Sequence, residues 1–497
     1  MQDLTYDIII IGGGINGCGI ARDAAGRGLK VALFEMGDLA QGTSSASTKL
    51  IHGGLRYLEH YAFGLVRDAL REREVLMGIA PHIVSPMRFV LPHAQGMRPA
   101  WMLRLGLFLY DHIGGRKILP ATQTLDLRTH AAGAALKAGF SRGFEYSDCR
   151  VDDARLVVLN AMDAASRGAD IFTRTRVISA RREGDLWRVE AQYENAPARG
   201  FYARALVNAG GAWVDEIARI CGSASVKNVR LVQGSHIVVA KLCDHELSYI
   251  FQHRDGRIVF AIPFEQKFTL IGTTDHDFTG DPLSAHASDS EITYLLEAAA
   301  EYFSKPPVRE DVVWSFSGVR ALYNEGRNKQ AAKDATREYV LALDSDGPPL
   351  LHVYGGKITT YRTLAEAALA KLQFTFPAMP GKSWTGTAPL PGGDLPAGGR
   401  DELTAELQAR FPWLGADMLR RMIGSYGTLS SEILSGAAAS SDLGIAFGAG
   451  LYEREVRWLM QREWARTAED VLWRRTKLGL RFAPAQRDVL ARFMARG

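Results

Sequence analysis

Residues 7–35 read DIIIIGGGINGCGIARDAAGRGLKVALFE, and the fold turns on them. Asp7-Ile8-Ile9-Ile10-Ile11 is an unbroken β-branched run, which suits a strand buried on both faces of a parallel sheet. Gly12-x-Gly14-x-x-Gly17 follows at once. Glycines at that spacing make a tight turn, let backbone approach a pyrophosphate, and allow the next helix to pack closely on the strand with its N-terminal amides facing the anion. Val31-Ala32-Leu33-Phe34 then reads as a second strand ending in Glu35, an acid placed to bond ribose hydroxyls. Strand, turn, helix, strand and terminal acid fall in order, so the chain is read as α/β with a doubly wound, Rossmann-like dinucleotide-binding domain. An acid at Glu35 suits the unphosphorylated ribose of FAD or NAD and disfavours NADP.

Outward from this unit, Ala205-Leu206-Val207-Asn208-Ala209-Gly210-Gly211 is an apolar strand running into a small-residue turn, as expected of a late strand returning to cover a bound flavin. His352-Val353-Tyr354-Gly355-Gly356-Lys357 again runs from strand to glycine pair. Between the two lie strand-like stretches, Ser235–Val239, Arg257–Pro263 and Phe268–Gly272, which predict a mixed or antiparallel second sheet. The Pro- and Gly-rich stretch 377–395 reads as a linker, and the last hundred or so residues alternate charged and apolar side chains at helical spacing.

A chain of 497 residues fits two to three domains and can bury a sizeable cofactor. With 47% apolar and 23% charged residues it is composed as a folded protein. The formal charge of +4 is mild and the basic residues form no long runs, so nucleic acid is not expected as a partner. Four scattered cysteines with no CxxC pair indicate neither a zinc site nor a disulfide framework, which fits a reducing cytoplasm. The N-terminus lacks the basic start of a signal peptide, and no stretch reaches about 18 uninterrupted apolar residues, so a spanning protein is not expected. Residues 97–113, with Trp101, Leu105, Phe108 and Leu109 beside Arg98, Arg104, Arg116 and Lys117, read either as an interfacial helix or as a core helix. His276, in Asp275-His276-Asp277, has no partners at metal-ligand spacing and reads as a loop, so no metal is expected.

The glycine fingerprint, together with GTSSASTKLIHGGLRYLEH (42–60), SGVRAL (317–322), HVYGGKITTYR (352–362) and EREVRWLMQREWARTAEDVLWRRTKLGL (453–480), closely resembles FAD-dependent glycerol-3-phosphate dehydrogenase of the aerobic bacterial type. That family belongs to the D-amino-acid-oxidase-like flavoproteins. The resemblance covers essentially the whole chain. It implies an FAD-binding domain built from residues 1–85, 145–230 and 318–378, a β-sheet substrate domain from 86–144 and 231–317, and a helical C-terminal domain from 379–497. No calcium-type acidic loop and no long oxidase-type insertion is found, which favours the quinone-linked form over oxygen-reducing glycerophosphate oxidases. A flavin amino-acid or amine oxidase is the other reading within the superfamily.

The activity implied is hydride transfer from C2 of sn-glycerol 3-phosphate to FAD, with electrons passed to a membrane quinone at the cytoplasmic face of the inner membrane. A homodimer is one assembly compatible with it. The family carries substrate contacts onto Arg56, Tyr57, Arg320 and Lys357, with Arg337 a further phosphate candidate. Arginine suits a phosphate because its forked donors never lose their charge. His52 and His236 are the two candidate bases, since a neutral imidazole accepts a proton near pH 7, and Arg320 is placed to stabilise the developing alkoxide. Cofactor contacts are expected from Gly12, Gly14, Asn16, Gly17 and Glu35, and from the hydroxyl cluster Thr43, Ser44, Ser45, Ser47 and Thr48. Val177, Ala209, Gly210, Gly355, Gly356, Lys357 and Thr359 complete that set. Gly53 and Gly54 are expected to lack side chains because the chain there passes close to the flavin ring.

Overall fold

The computed structural model describes residues 4–94, 97–223, 229–324 and 338–496. Strand β1 (Leu4–Ile11) lies at the centre of an eight-stranded sheet. It pairs in parallel with β2 (Val31–Phe34) on one side and with the strand Arg199–Asn208 on the other. Both neighbours run in register with the isoleucine run, and Ile8, Ile9 and Ile10 are fully buried, as a strand covered on both faces requires. Helix α1 (Ile15–Gly26) packs on this sheet and against two other helices, one of them the helix Tyr361–Leu372. Close approach there needs Gly19, where a Cβ would stand 2.7 Å from the Tyr361 ring. The hairpin Thr175–Glu183 with Leu186–Tyr193 joins the same sheet antiparallel to Arg199–Asn208.

The second sheet has ten strands and is almost wholly antiparallel, with one parallel pairing between Val84–His93 and Ser248–Gln252. Near one edge of it the strand Val229–Ala240 is paired along its length with Val312–Tyr323. The strands Arg142–Val151 and Val312–Tyr323, which the expected domain boundaries would cut, run whole in this second sheet. Helices α2 (Phe63–Ile79) and α3 (Ala100–Ile113) pack against each other and line one side of it. Helix α4 (Asp153–Ser166) packs back onto α1, capped by the Asp152 carboxylate.

Residues 373–398 contain no helix or strand, and beyond them a separate core of Leu407, Met422, Tyr426, Leu459 and Leu490 organises five helices. That domain is joined to the second sheet by Trp473 stacked on Trp314, with ring centres 4.4 Å apart. Among the described residues no helix is long and apolar enough to cross a membrane.

Candidate active site

The glycine turn is held from both sides. Glu35 accepts hydrogen bonds from the amides of Gly13 and Gly37, each at 2.7 Å, so its carboxylate is fixed directly beside the turn. A Cβ at Gly12 would meet the Ala209 carbonyl oxygen at 2.5 Å, and φ there is +116°. A Cβ at Gly17 would stand 1.9 Å from the Gly12 oxygen, so the helix can start this close to the strand only with glycine. The N-cap residue of α1, Gly14, has no side chain to cap the helix and no acid lies in its first turn; Gly12 and Gly14 at this end line a cavity of about 200 Å³. Gly12, Gly14, Glu35, Thr43, Ser44, Val177, Ala209 and Gly210 line that cavity. It adjoins a second one of about 550 Å³, with Trp213, Arg176 and Glu216 common to both.

The hydroxyl cluster folds back over the turn. Ser44 accepts from the Ile15 amide at 3.0 Å, and Thr43 donates to the Val319 carbonyl on the second sheet. Asn16 donates to the Gly355 carbonyl at 3.1 Å, which brings the third glycine stretch onto the first, while its buried Oδ1 has no partner. Ser47 is occupied within the protein: it donates to Asp153 at 2.8 Å and accepts from the Lys49 amide at 2.9 Å. Lys49 is buried and bonds both Asp153 oxygens at 2.9 Å, an ion pair that pins the cluster to the start of α4. Burial pushes the Lys49 ammonium below its ordinary value and the Asp153 charge opposes that shift. Lys49 and Asp153 were missed from sequence, although the lysine sits inside the STK triplet. Its buried partner lies 104 residues further on.

Of the residues expected on the substrate side, His236 and Arg320 stand on strands of the second sheet, and His52, Tyr57 and Lys357 on connecting segments. Thr48 Oγ1 lies 3.0 Å from His236 Nε2, and the His236 ring stacks on Phe316 at 4.9 Å. The ring also covers Gly272, where a Cβ would stand 2.0 Å from it. His236 is fully buried and its Nδ1 has no partner. Burial, reinforced by Lys49 and Arg320, holds its pKa well below the ordinary histidine value. His52 lies edge-on to Phe260, 6.3 Å away, and Phe260 pairs with Gly272 across the sheet, so the two histidines approach one region from opposite sides. Burial, then the charges of Lys357 and Arg73, lowers the His52 pKa to about 4. Arg320 lies across the strand pair, 3.3 Å from both Asp275 and Thr273. Lys357 Nζ sits over the Tyr57 ring at 4.0 Å, and Thr359 is 3.4 Å from the His52 amide, so the HGGLRY and GGKIT segments meet. Arg337 lies outside the described residues.

Gly53 and Gly54 have a reason other than closeness to a flavin. A Cβ at Gly53 would stand 2.7 Å from Leu70 and 2.9 Å from Tyr110, whose hydroxyl accepts from the Gly53 amide at 2.8 Å. Gly54 adopts φ +73°, and a Cβ there would lie 2.4 Å from the Tyr57 ring.

Residues 7–362 match the FAD dependent oxidoreductase family, and residues 383–495 match the C-terminal domain of alpha-glycerophosphate oxidase. The chain belongs to the FAD-dependent oxidoreductases. It is 51% identical to D-erythritol 1-phosphate dehydrogenase of Brucella abortus, over 97% of this chain and 96% of that protein. It is also 51% identical to a glycerol-3-phosphate dehydrogenase of Pseudomonas aeruginosa, over 99% and 95% of the two chains. Identity to the aerobic glycerol-3-phosphate dehydrogenase of Escherichia coli is 50%, over 96% and 94%. Among solved structures, the glycerol-3-phosphate dehydrogenase of Bacillus halodurans complexed with FAD is similar with a TM-score of 0.79 and 26% identity, covering 99% of this chain and 90% of that one.

The residues present fit the cofactor of this oxidoreductase family. The glycine-rich start of α1, with no acid in its first turn, suits a pyrophosphate, Glu35 suits a ribose, and the unpartnered Asn16 oxygen lies beside the Gly355 and Gly356 stretch.

Proposed function

We propose that this oxidoreductase converts sn-glycerol 3-phosphate to dihydroxyacetone phosphate and passes the electrons to a membrane quinone. The observation that carries the reading is the convergence of Lys357 with Tyr57, and of Thr48 with His236, on chain segments that also bond the glycine turn through Gly355 and Ser44. Relatives of about 50% identity along nearly the whole chain are named glycerol-3-phosphate dehydrogenases, which supports the substrate. When bound, FAD supplies the hydride acceptor. Lys357, Arg56 and Arg320 provide cations for a phosphate, and Arg337 is a further candidate. A neutral histidine, His52 or His236, takes the proton of the C2 hydroxyl, and Arg320 stabilises charge developing on that oxygen. Asp275 bonds the Arg320 guanidinium, which lies over Gly234, two residues before His236 on the neighbouring strand, and this supports a shared substrate position for the two groups.

A second reading deserves equal testing because one relative of 51% identity is named for D-erythritol 1-phosphate. Both substrates are phosphate esters of polyols, so the same cations and base serve either. The test is anaerobic bleaching of the flavin absorbance. Glycerol 3-phosphate is expected to bleach it faster than D-erythritol 1-phosphate, and glycine and D-alanine not at all. A faster reaction with the four-carbon ester moves the assignment to that substrate, and bleaching by an amino acid overturns both. Reoxidation by a short-chain quinone is expected to outrun reoxidation by oxygen, which separates a dehydrogenase from an oxidase.

The quinone requires a route to lipid, and α3 supplies a candidate surface. Trp101, Leu105 and Phe108 are exposed by 66%, 51% and 57%, with Met102 and Leu109 on the same face. Arg98, Arg104 and Lys117 are exposed nearby, and such a helix suits an anionic membrane surface. Peripheral attachment to the cytoplasmic membrane through this face is part of the proposal.

A further inference from the structure

The carboxylate of Asp38 stands three residues after the ribose acid and points away from the cofactor cavity. It is fully buried, and among the described residues the hydrogen-bond donors to its oxygens all come from the C-terminal domain: Arg474 Nε at 2.6 Å, and Arg475 Nη1 and Nη2 at 2.9 and 2.8 Å. The same one-turn π-helical segment, Asp470–Arg475, takes a second hold through Asp470. Asp470 accepts from Arg174 at 2.6 Å, and the Arg174 amide donates to the Gly37 carbonyl at 2.8 Å. Both grips close on the loop that follows β2. That loop folds back on the glycine turn through the Ala40 amide, which donates to the Gly13 carbonyl at 3.1 Å, and through Glu35 itself. Behind the arginines, Glu463 backs Arg475 through its carbonyl at 2.7 Å and pairs with the buried Arg155 of α4. A buried ionic network this far from substrate is a poor source of net stability, since hydrophobic replacements often do as well, but it fixes geometry strictly. It reaches the cofactor cavity through the loop that carries Glu35.

We propose that the C-terminal helical domain acts as a cofactor clamp, in which Arg474 and Arg475 are positioning residues that hold the Glu35–Gln41 loop in its FAD-binding shape through Asp38. The clamp rests on the assignment of FAD to the cavity. Neither arginine touches the cofactor site; the effect travels through Asp38 and the loop backbone to the Glu35 carboxylate and the Gly13 amide.

The test titrates flavin-free full-length protein with FAD and follows quenching of flavin fluorescence, with thermal melts of the flavin-free protein alongside. Asp38→Asn and Arg475→Gln are each expected to weaken FAD binding by about three- to thirtyfold, the range seen when a supporting network away from the ligand is broken. The double variant is expected to bind no more weakly than the weaker single, because both changes act through one contact. Arg421→Gln breaks a comparably buried pair with Glu455 inside the same domain. It is expected to lower the melting temperature while leaving the FAD dissociation constant unchanged. If the fully buried variants do not fold, Arg474→Gln decides the matter, since its side chain is partly exposed and the Arg475 fork remains. Folded Asp38→Asn or Arg474→Gln protein that melts earlier yet binds FAD as the wild type does overturns the clamp. Wild-type protein that fails to quench FAD fluorescence overturns the cofactor assignment and the clamp with it.

Discussion

His52 and His236 carry the proton question, and their surroundings make both unprotonated at neutral pH. Burial is the first cause for each, and neighbouring cations add to it. A base whose pKa lies near 4 needs no deprotonation above about pH 5, so the rate of flavin reduction is expected to be flat from pH 5 to 9 if His52 is the base. It should decline only as the pH approaches 4. Stopped-flow reduction at saturating substrate is also expected to slow by about 10²-fold or more in His52→Ala or in His236→Ala, but not in both. Two variants with wild-type rates defeat the assignment of a histidine base. The two residues were legible from sequence as histidines beside a glycine pair and on a sheet strand. Their difference was not: the Thr48 hydroxyl and the Phe316 ring reach His236 from 188 and 80 residues away in the chain.

At the scale of elements, α3 shows how far periodicity goes. Its apolar residues announce an amphipathic helix, and the structure forms one over Ala100–Ile113. Which face would be buried depended on what packs against it. Leu107 and Tyr110 turn inward against α2 and the second sheet, while the broader apolar side is left in solvent. Tyr110 donates to Asp148, which also pairs with Arg73 of α2, so the helix is seated by a polar anchor that hydropathy does not reveal. Charging the outer face with Leu105→Glu and Leu109→Glu is therefore expected to cost little stability. Sedimentation with anionic vesicles should show membrane binding reduced by about tenfold or more, while dye-linked activity stays within about twofold of wild type. Binding that survives both charges removes α3 as the anchor. The glycine fingerprint lies at the other extreme, because close backbone contacts at Gly12 and Gly17 leave those positions no alternative residue.

For the whole molecule, a buried histidine between the nucleotide-binding and C-terminal domains contributes to the response to acid. His82 is buried there with neither ring nitrogen partnered, and burial, followed by Arg155 and Arg400, lowers its pKa to about 3. The unfolded chain takes up a proton below about pH 6.5 that the fold refuses, so this histidine favours folding fully above that pH and progressively less as the pH falls toward 3. At pH 5 the loss for one such group is about 2 kcal/mol. His82→Leu is expected to narrow the gap in urea-unfolding stability between pH 7.5 and pH 5 by roughly that amount, and an unchanged gap would refute it. The sequence by itself determined the doubly wound nucleotide-binding unit, the glycine turn with its acid, the second sheet, the linker and the helical C-terminal region, because each is set by local periodicity or by residues only a few positions apart. It also singled out HGGLRY and GGKIT as candidate stretches. Only the tertiary structure decided that these two stretches meet, that Ser47 serves Lys49 and Asp153, and that Asp38 is gripped by Arg474 and Arg475. Those contacts join buried polar groups separated by about 100 to more than 400 residues, and such pairings leave no period in the chain.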